Sequence, residues 1–282
     1  MTPSALRRQS IPDLQPLIAR AKAADGQPPF SDQALVDLRS GERELLQLDE
    51  AYAIVGGGEA EFVVDPDARG RGLGTAMLER LLADITSGGG SGELLIWAHG
   101  DHPAARALAA SHGLEPIREL LQLRMTVREL PTNTVTVRPF RIGVDEAAWV
   151  ALNARAFANH PEQGSVTRSD LEQLEREPWF EADDFLVLWS ETDPDDTTMI
   201  GYCWLKVEDE IGEFYVVGVD PTRQGGGAGR ALMSAGFARL AARGIRTAAL
   251  YVDAGNTAAV GLYRSLGFGT HSIDIQYRYR AR

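Results

Sequence analysis

Val64-Asp65-Pro66-Asp67-Ala68-Arg69-Gly70-Arg71-Gly72-Leu73-Gly74 recurs as Val219-Asp220-Pro221-Thr222-Arg223-Gln224-Gly225-Gly226-Gly227-Ala228-Gly229, an offset of 155 residues. A second pair keeps that register to within one residue. Ala104-Ala105-Arg106-Ala107-Leu108, closed by Gly113-Leu114, matches Ala258-Ala259-Val260-Gly261-Leu262, closed by Gly267-Phe268. Self-similarity at a long fixed spacing marks a duplicated structural unit. The 282 residues then divide into two domains of ordinary size, each able to bury a core. The break is expected at Leu130-Pro131-Thr132-Asn133-Thr134, between two strand-like runs, giving domains 1–130 and 135–282.

Strand and helix patterns alternate in both copies. Glu213 to Val219 is rich in β-branched and aromatic residues and reads as a strand, with a bulge expected at Gly218. Ala231 to Ala242 carries apolar residues at helical spacing, with Gly244 as its stop, and Thr247 to Val252 is the next strand. In the first copy the equivalents are Glu59–Val64, Leu73–Ile85 and Glu93–Ala98, with a flexible Gly88-Gly89-Gly90-Ser91-Gly92 loop between the last two. The order implies an α/β layered fold.

Charge and cysteine usage remove several function classes. With 28 basic against 40 acidic residues, a net charge of −12 repels a nucleic-acid backbone. Cys203 is the single cysteine, so there is no internal disulfide and no Cys₄ zinc site, and its apolar setting reads as strand packing rather than a nucleophile. His99-Gly100-Asp101-His102 has too few companions for a metal site. No apolar run reaches membrane-spanning length and Met1–Ser10 has no apolar signal region. A cytoplasmic monomer without membrane, metal or nucleic-acid partner is expected.

A strand, a glycine-rich turn and a helix in succession set backbone N–H groups at a helix N-terminus, where they suit a phosphate or pyrophosphate. The spacing is neither a P-loop, which needs Gly-Lys-Ser/Thr, nor the dinucleotide pattern, whose last glycine is denied by Thr75 and Arg230. Together with Val-Asp-Pro before the turn and Asn256-Thr257-Ala258-Ala259 after it, the pattern resembles the Gcn5-related N-acetyltransferase (GNAT) family in both halves. Gly226 and Ala228 replace that family's commoner arginine and leucine or isoleucine, which removes a cation but no N–H donor.

The resemblance implies two tandem domains, each a mixed, largely antiparallel sheet flanked by helices, and acetyl-CoA as cosubstrate. Its pyrophosphate is assigned to the turn Gln224, Gly225, Gly226, Gly227, Ala228, Gly229 and Arg230, and its pantetheine arm to Val217, Gly218 and Val219. The segment Asn256, Thr257, Ala258, Ala259, Val260 and Gly261 closes that site. The first copy has a similar set in Phe62, Val63, Val64, Gly70, Arg71, Gly72, Leu73, Gly74 and Thr75. Trp97-Ala98-His99-Gly100 and His160-Pro161-Glu162-Gln163-Gly164 resemble the tandem members that acetylate the cysteinyl amine of a glucosaminyl-inositol conjugate. An aminoglycoside or polyamine acceptor, or an acyl-CoA sensor without turnover, are the alternatives.

Amine attack on a thioester needs a base for the ammonium and an acid for the departing thiolate. The resemblance implies Glu213 as base, directly or through a water, and Tyr263 as acid; the Val219 N–H is the expected oxyanion donor. Asp32, Glu162, Lys206, Glu213 and Tyr251 are the implied acceptor-binding residues, Asp32 reading equally well as a helix-start residue. The repeat offsets set Gly58 opposite Glu213 and Ala109 opposite Tyr263, so the C-terminal copy is expected to be the catalytic one.

Overall fold

The computed structural model describes residues 12–87, 92–128, 135–158, 163–190, 198–208 and 210–281. The expected break at 130–134 and residues 88–91 of the expected loop lie outside them. In chain order the elements are α1 (Gln15–Asp25), α2 (Asp32–Ser40), β1 (Glu44–Leu48), β2 (Ala51–Gly56), β3 (Glu59–Val64), α3 (Leu73–Ser87), β4 (Glu93–Ala98), α4 (Pro103–Ser111) and β5 (Glu115–Thr126). The series continues with β6 (Val137–Pro139), α5 (Glu146–Ala156), α6 (Arg168–Leu174), β7 (Phe185–Trp189), β8 (Met199–Glu208), β9 (Ile211–Val219), α7 (Ala228–Ala242), β10 (Thr247–Asp253), α8 (Thr257–Leu266) and β11 (Gly269–Arg280).

These elements form two compact units. The first takes its described residues from Met1–Leu121, Asp253–Gly255 and Ser272–Arg282, the second from Gln122–Val252 and Asn256–His271. The first unit therefore includes most of β11, the last strand of the chain.

In the first unit the strand order is β1-β2-β3-β4-β11, antiparallel except for β3 with β4. Met77, Leu78 and Leu81 of α3 pack on Ala51, Ala53, Ala60, Leu94 and Ile96. A separate cluster joins Phe30, Ala34 and Leu38 with Ile54 and Val63. Successive strand residues point to opposite faces, so the sheet carries a helix layer on each.

In the second unit the order is β10-β9-β8-β7-β6, again with one parallel pair, β9 with β10. One face is aromatic: Trp149 of α5, Phe185, Tyr202 and Trp204 are wholly buried, and Phe185 and Trp204 stack at 4.4 Å. The other face meets α7 through glycines. A Cβ on Gly236 would come within 2.4 Å of the Phe214 ring, and one on Gly212 within 2.3 Å of Leu240. Absent side chains let the helix lie close to the sheet, which explains an apolar α7 containing glycine at an interior position.

The bulge is not at Gly218. Trp204 pairs with Val216 and the next residue, Leu205, pairs with Phe214, so Tyr215 is the extra residue. Gly218 stays in register opposite Tyr202, where a Cβ would sit 2.5 Å from the ring. Glycine is required there by the tyrosine and not by a bulge. β3 pairs with β2 without interruption, so β9 holds one residue more than β3. Upstream of Tyr215 the repeat offset accordingly falls by one. Glu213 faces Ala249 and Glu59 faces Leu95 across equivalent parallel pairs, which makes Glu59, not Gly58, the counterpart of Glu213.

Candidate active site

Both copies build the same cradle. In the second unit the β9 to β10 ladder ends at Glu213 and Ala249, leaving Val217, Gly218 and Val219 bonded to β8 but unladdered to β10. Asp220 then closes the strand by accepting from the Thr222 N–H (3.0 Å) and hydroxyl (2.7 Å), while Arg155 of α5 donates to its other oxygen at 2.9 Å. Gly225 (φ 80°) and Gly227 (φ 89°) are left-handed, and nothing lies within 4 Å of where the Gly225 Cβ would be. Backbone conformation demands glycine at both, and at Gly225 crowding plays no part. Gly227 leads directly into α7, so the first-turn N–H groups and the positive end of the helix dipole face the same turn.

In the first unit, Arg20 of α1 pairs with Asp65, and Gly70 (φ 74°) and Gly72 (φ 82°) repeat the two left-handed positions. β3 and β4 are laddered only from Glu59 to Glu61, and beyond them opens a cavity of about 260 Å³ lined by Phe62, Val64, Leu73, Trp97, His99 and Leu108. Arg71, the cation of this turn, donates instead to the Asp67 carbonyl. An open cradle of N–H donors beside a strand gap fits the pyrophosphate and pantetheine of coenzyme A in either copy.

Three of the expected acceptor residues share one face of the second unit. Lys206 is paired in register with Glu213, and Tyr251 lies two residues along β10 from the partner of Glu213, Ala249. Lys206 is 7% exposed; its ammonium lies 2.9 Å from Glu208 and 5.2 Å from the centre of the Trp179 ring. Tyr251 is 40% exposed and its hydroxyl accepts from Gln122 at 2.5 Å. Asn153 of α5 accepts from the buried Tyr202 hydroxyl at 2.6 Å and donates to the Gln163 carbonyl at 2.6 Å. Glu162 lies outside the described residues, and Gln163 beside it is thereby tied to the sheet.

Asn256 caps α8 by accepting from the Ala259 N–H, and Tyr263 sits on the second turn of that helix against Phe268. Burial pushes the Tyr263 phenol up to about 12, so it holds its proton at neutral pH. Cys203 lies on the α7 side of β8, and complete burial drives its thiol far up, away from the thiolate form a nucleophile needs.

Asp32 is the first residue of α2, behind the capping Ser31. Sequence reasoning missed what holds that cap. Glu61 accepts from the Ser31 N–H (2.6 Å) and hydroxyl (2.7 Å), and also faces His99 Nε2 at 3.2 Å, while His99 Nδ1 faces Asp274 at 3.0 Å. Burial opposes the charge on His99, but the flanking carboxylates raise it to about 10. Burial likewise opposes ionisation of Glu61, yet its bonds to His99 and Ser31 hold it below the usual carboxylate range. Partners 38 and 175 residues from His99 leave no spacing signature. Glu59, the counterpart of Glu213, is held by Arg43 at 2.9 Å and Gln276 at 3.1 Å. Among the described residues no group of three or more His, Cys, Asp or Glu is placed to hold a metal, and no helix is long and apolar enough to cross a membrane.

Paired cradles, each at the gap beside the parallel strand pair of its own unit, define a tandem acyl-CoA-dependent transferase architecture. The sequence profile of the acetyltransferase (GNAT) family matches residues 51–114 and 149–268, and the chain belongs to that family and is an N-acetyltransferase. A mycothiol acetyltransferase of Kocuria rhizophila is 43% identical over 95% of this chain and 97% of its own length. One from Streptomyces avermitilis is 45% identical over 93% and 89%. Among solved structures, a GCN5-related N-acetyltransferase from Sphaerobacter thermophilus aligns with a TM-score of 0.67 at 24% identity, covering 94% of this chain and 90% of that one. A tandem GNAT protein from the clavulanic acid biosynthesis pathway gives 0.68 at 14%, covering 95% and 93%. Both structural likenesses speak to the fold.

Proposed function

We propose that this chain transfers the acetyl group of acetyl-CoA to the cysteinyl amine of 1-D-myo-inositol 2-(L-cysteinylamino)-2-deoxy-glucopyranoside (desacetylmycothiol), giving mycothiol and CoA. The observation that carries the acceptor is the similarity, above 40% over nearly the full chain, to mycothiol acetyltransferases. The reaction is assigned to the copy at 135–282, acting as a cytoplasmic monomer. The copy at 1–130 is read as a coenzyme A-binding partner domain without turnover.

In this reading the turn Gln224–Arg230 and the Asn256–Gly261 segment hold the coenzyme A moiety, and Val217–Val219 align its arm. Glu213, at the point where β9 leaves β10, takes the proton from the cysteinyl ammonium, directly or through a water. The neutral amine attacks the thioester carbonyl, the Val219 N–H stabilises the oxyanion, and Tyr263 gives its proton to the departing thiolate. A phenol pushed up to about 12 supports that role, because it enters the reaction protonated. Lys206, Tyr251 and Glu162 bind the acceptor's polar groups. The first copy has alanine at the acid position, Ala109, and its counterpart carboxylate Glu59 is engaged by Arg43 and Gln276, which supports turnover in the second copy alone.

The test is release of CoA thiol from acetyl-CoA with the cysteinyl-glucosaminyl-inositol amine, with a polyamine and an aminoglycoside in parallel. Rapid release with the first acceptor alone is expected. Preferential release with either of the others would replace the acceptor, and coenzyme A binding without release from any amine would make the chain a sensor.

A further inference from the structure

The aromatic cluster of the second unit ends at a tryptophan with no assigned role. Trp149, Phe185, Tyr202 and Trp204 are wholly buried. Trp179, in the segment between α6 and β7, and Tyr215, the bulged residue of β9, keep part of their surface to solvent. The Trp179 ring lies 5.7 Å from that of Trp204 and 5.2 Å from that of Tyr215, and the Lys206 ammonium is 5.2 Å from its centre. All three contacts come from β8 and β9, and the indole keeps part of its surface to solvent. Lys206 is the cross-strand partner of Glu213 and is bonded to Glu208. An amphipathic ring thus stands at the border of a patch that carries one ammonium and two carboxylates.

That combination suits a glycoside. A pyranose or cyclitol presents axial C–H groups on one face and hydroxyls round its edge. The C–H face is desolvated against an indole, and the hydroxyls bond to carboxylates and an ammonium, the usual division of labour in a pocket with few polar groups. A bare cysteinyl amine offers no such face. The bulge gives Tyr215 its place in this arrangement: one extra residue turns its ring towards Trp179 while Phe214 still points to α7, where it meets Phe237 at 5.0 Å. Resting on the acceptor assigned under the proposed function, we propose that Trp179 is the sugar-stacking residue of the acceptor site, the residue that selects a cysteinyl glycoside over a cysteinyl amine without a sugar.

The test compares wild type, Trp179→Leu and Trp179→Phe in CoA thiol release with the cysteinyl-glucosaminyl-inositol amine and with L-cysteinamide. In Trp179→Leu the ratio of kcat/KM for the conjugate to that for L-cysteinamide is expected to fall about tenfold, through KM for the conjugate and not through kcat. Trp179→Phe, which restores a smaller aromatic face, is expected to recover most of that ratio. Equal losses with both acceptors in Trp179→Leu would make the residue a packing element only and overturn the proposal. An unchanged ratio would overturn it too. A wild-type enzyme that turns over neither acceptor, or prefers L-cysteinamide, would instead overturn the acceptor assignment and this proposal with it.

Discussion

Glu213 and Glu59 occupy the same point of the fold in their two units, each facing an equivalent residue on its parallel neighbour, Ala249 or Leu95. Their surroundings separate them. Glu59 is held by Arg43 and Gln276, whereas Glu213 shares its face with Lys206 and Tyr251. Glu213→Gln is expected to lower kcat/KM for the amine at least a hundredfold, the usual size of a lost general base. Glu59→Gln should leave acetyl transfer at the wild-type rate and cost about 1 kcal/mol of stability by weakening the Arg43 pair. Thiol release and urea unfolding of both variants check the contrast.

Tyr263→Phe removes the proton donor and leaves the ring's contact with Phe268. The expected result is a kcat lower by a factor of about 10² to 10³ with an unaltered KM for acetyl-CoA. With the phenol pushed up to about 12, Tyr263 stays protonated through ordinary assay pH. Any alkaline fall of kcat/KM below about pH 10 must then come from another group and persist in the variant.

Gly225→Ala places a Cβ on a residue at φ 80° with open space around it. The strain is in the backbone alone, about 1 kcal/mol. Relaxing it would turn N–H groups away from the cradle, so acetyl-CoA affinity by calorimetry should drop more than thermal stability does. Gly236→Ala makes the opposite case: its Cβ would lie 2.4 Å from the Phe214 ring, so about 1–3 kcal/mol of stability is lost to overpacking, with cofactor affinity nearly constant in the folded fraction.

His99 binds its proton more tightly in the folded chain, at about 10 against an ordinary 6.5. A raised histidine contributes stability that is fully present below about pH 6.5 and is lost as pH climbs through 10. His99→Gln should therefore be less stable than wild type at pH 6 and approach it by pH 10, as read from urea midpoints across that range. A constant difference at all pH values would remove the charge from the explanation. Asp145 behaves oppositely. Burial opposes its ionisation, but Arg138 and Arg141 bring it to about 2, so its contribution holds above pH 3.8 and disappears as pH falls through 2.

The cradle was legible in the sequence because it is local: a strand, two left-handed glycines and a helix start within about ten residues leave their mark in residue types. β3 and β4 begin and end at the expected residues, and α7 starts three residues before its expected first turn. Features made by distant residues were not legible. Gly218 looked like a bulge because glycine often marks one, yet it serves Tyr202 on the neighbouring strand. Tyr215, the residue that does bulge, carries no mark, and the missed insertion displaced the counterpart of Glu213 by one position. Trp179 was hidden for the same reason, since its neighbours on β8 and β9 are at least 25 residues away in the chain.

The membership of β11 in the first unit also sets an order of events during synthesis. Residues Ile275–Arg280 supply the strand that pairs with β4, and Asp274 supplies the carboxylate that faces His99. While the ribosome is still translating the second copy, the earlier unit has an unpaired β4 edge and a half-buried histidine without one of its two counter-charges. Its maturation waits for the codons of Asp274 to Arg280, which follow those of α8, so the unit begun first is completed only after the helices of the other have been made.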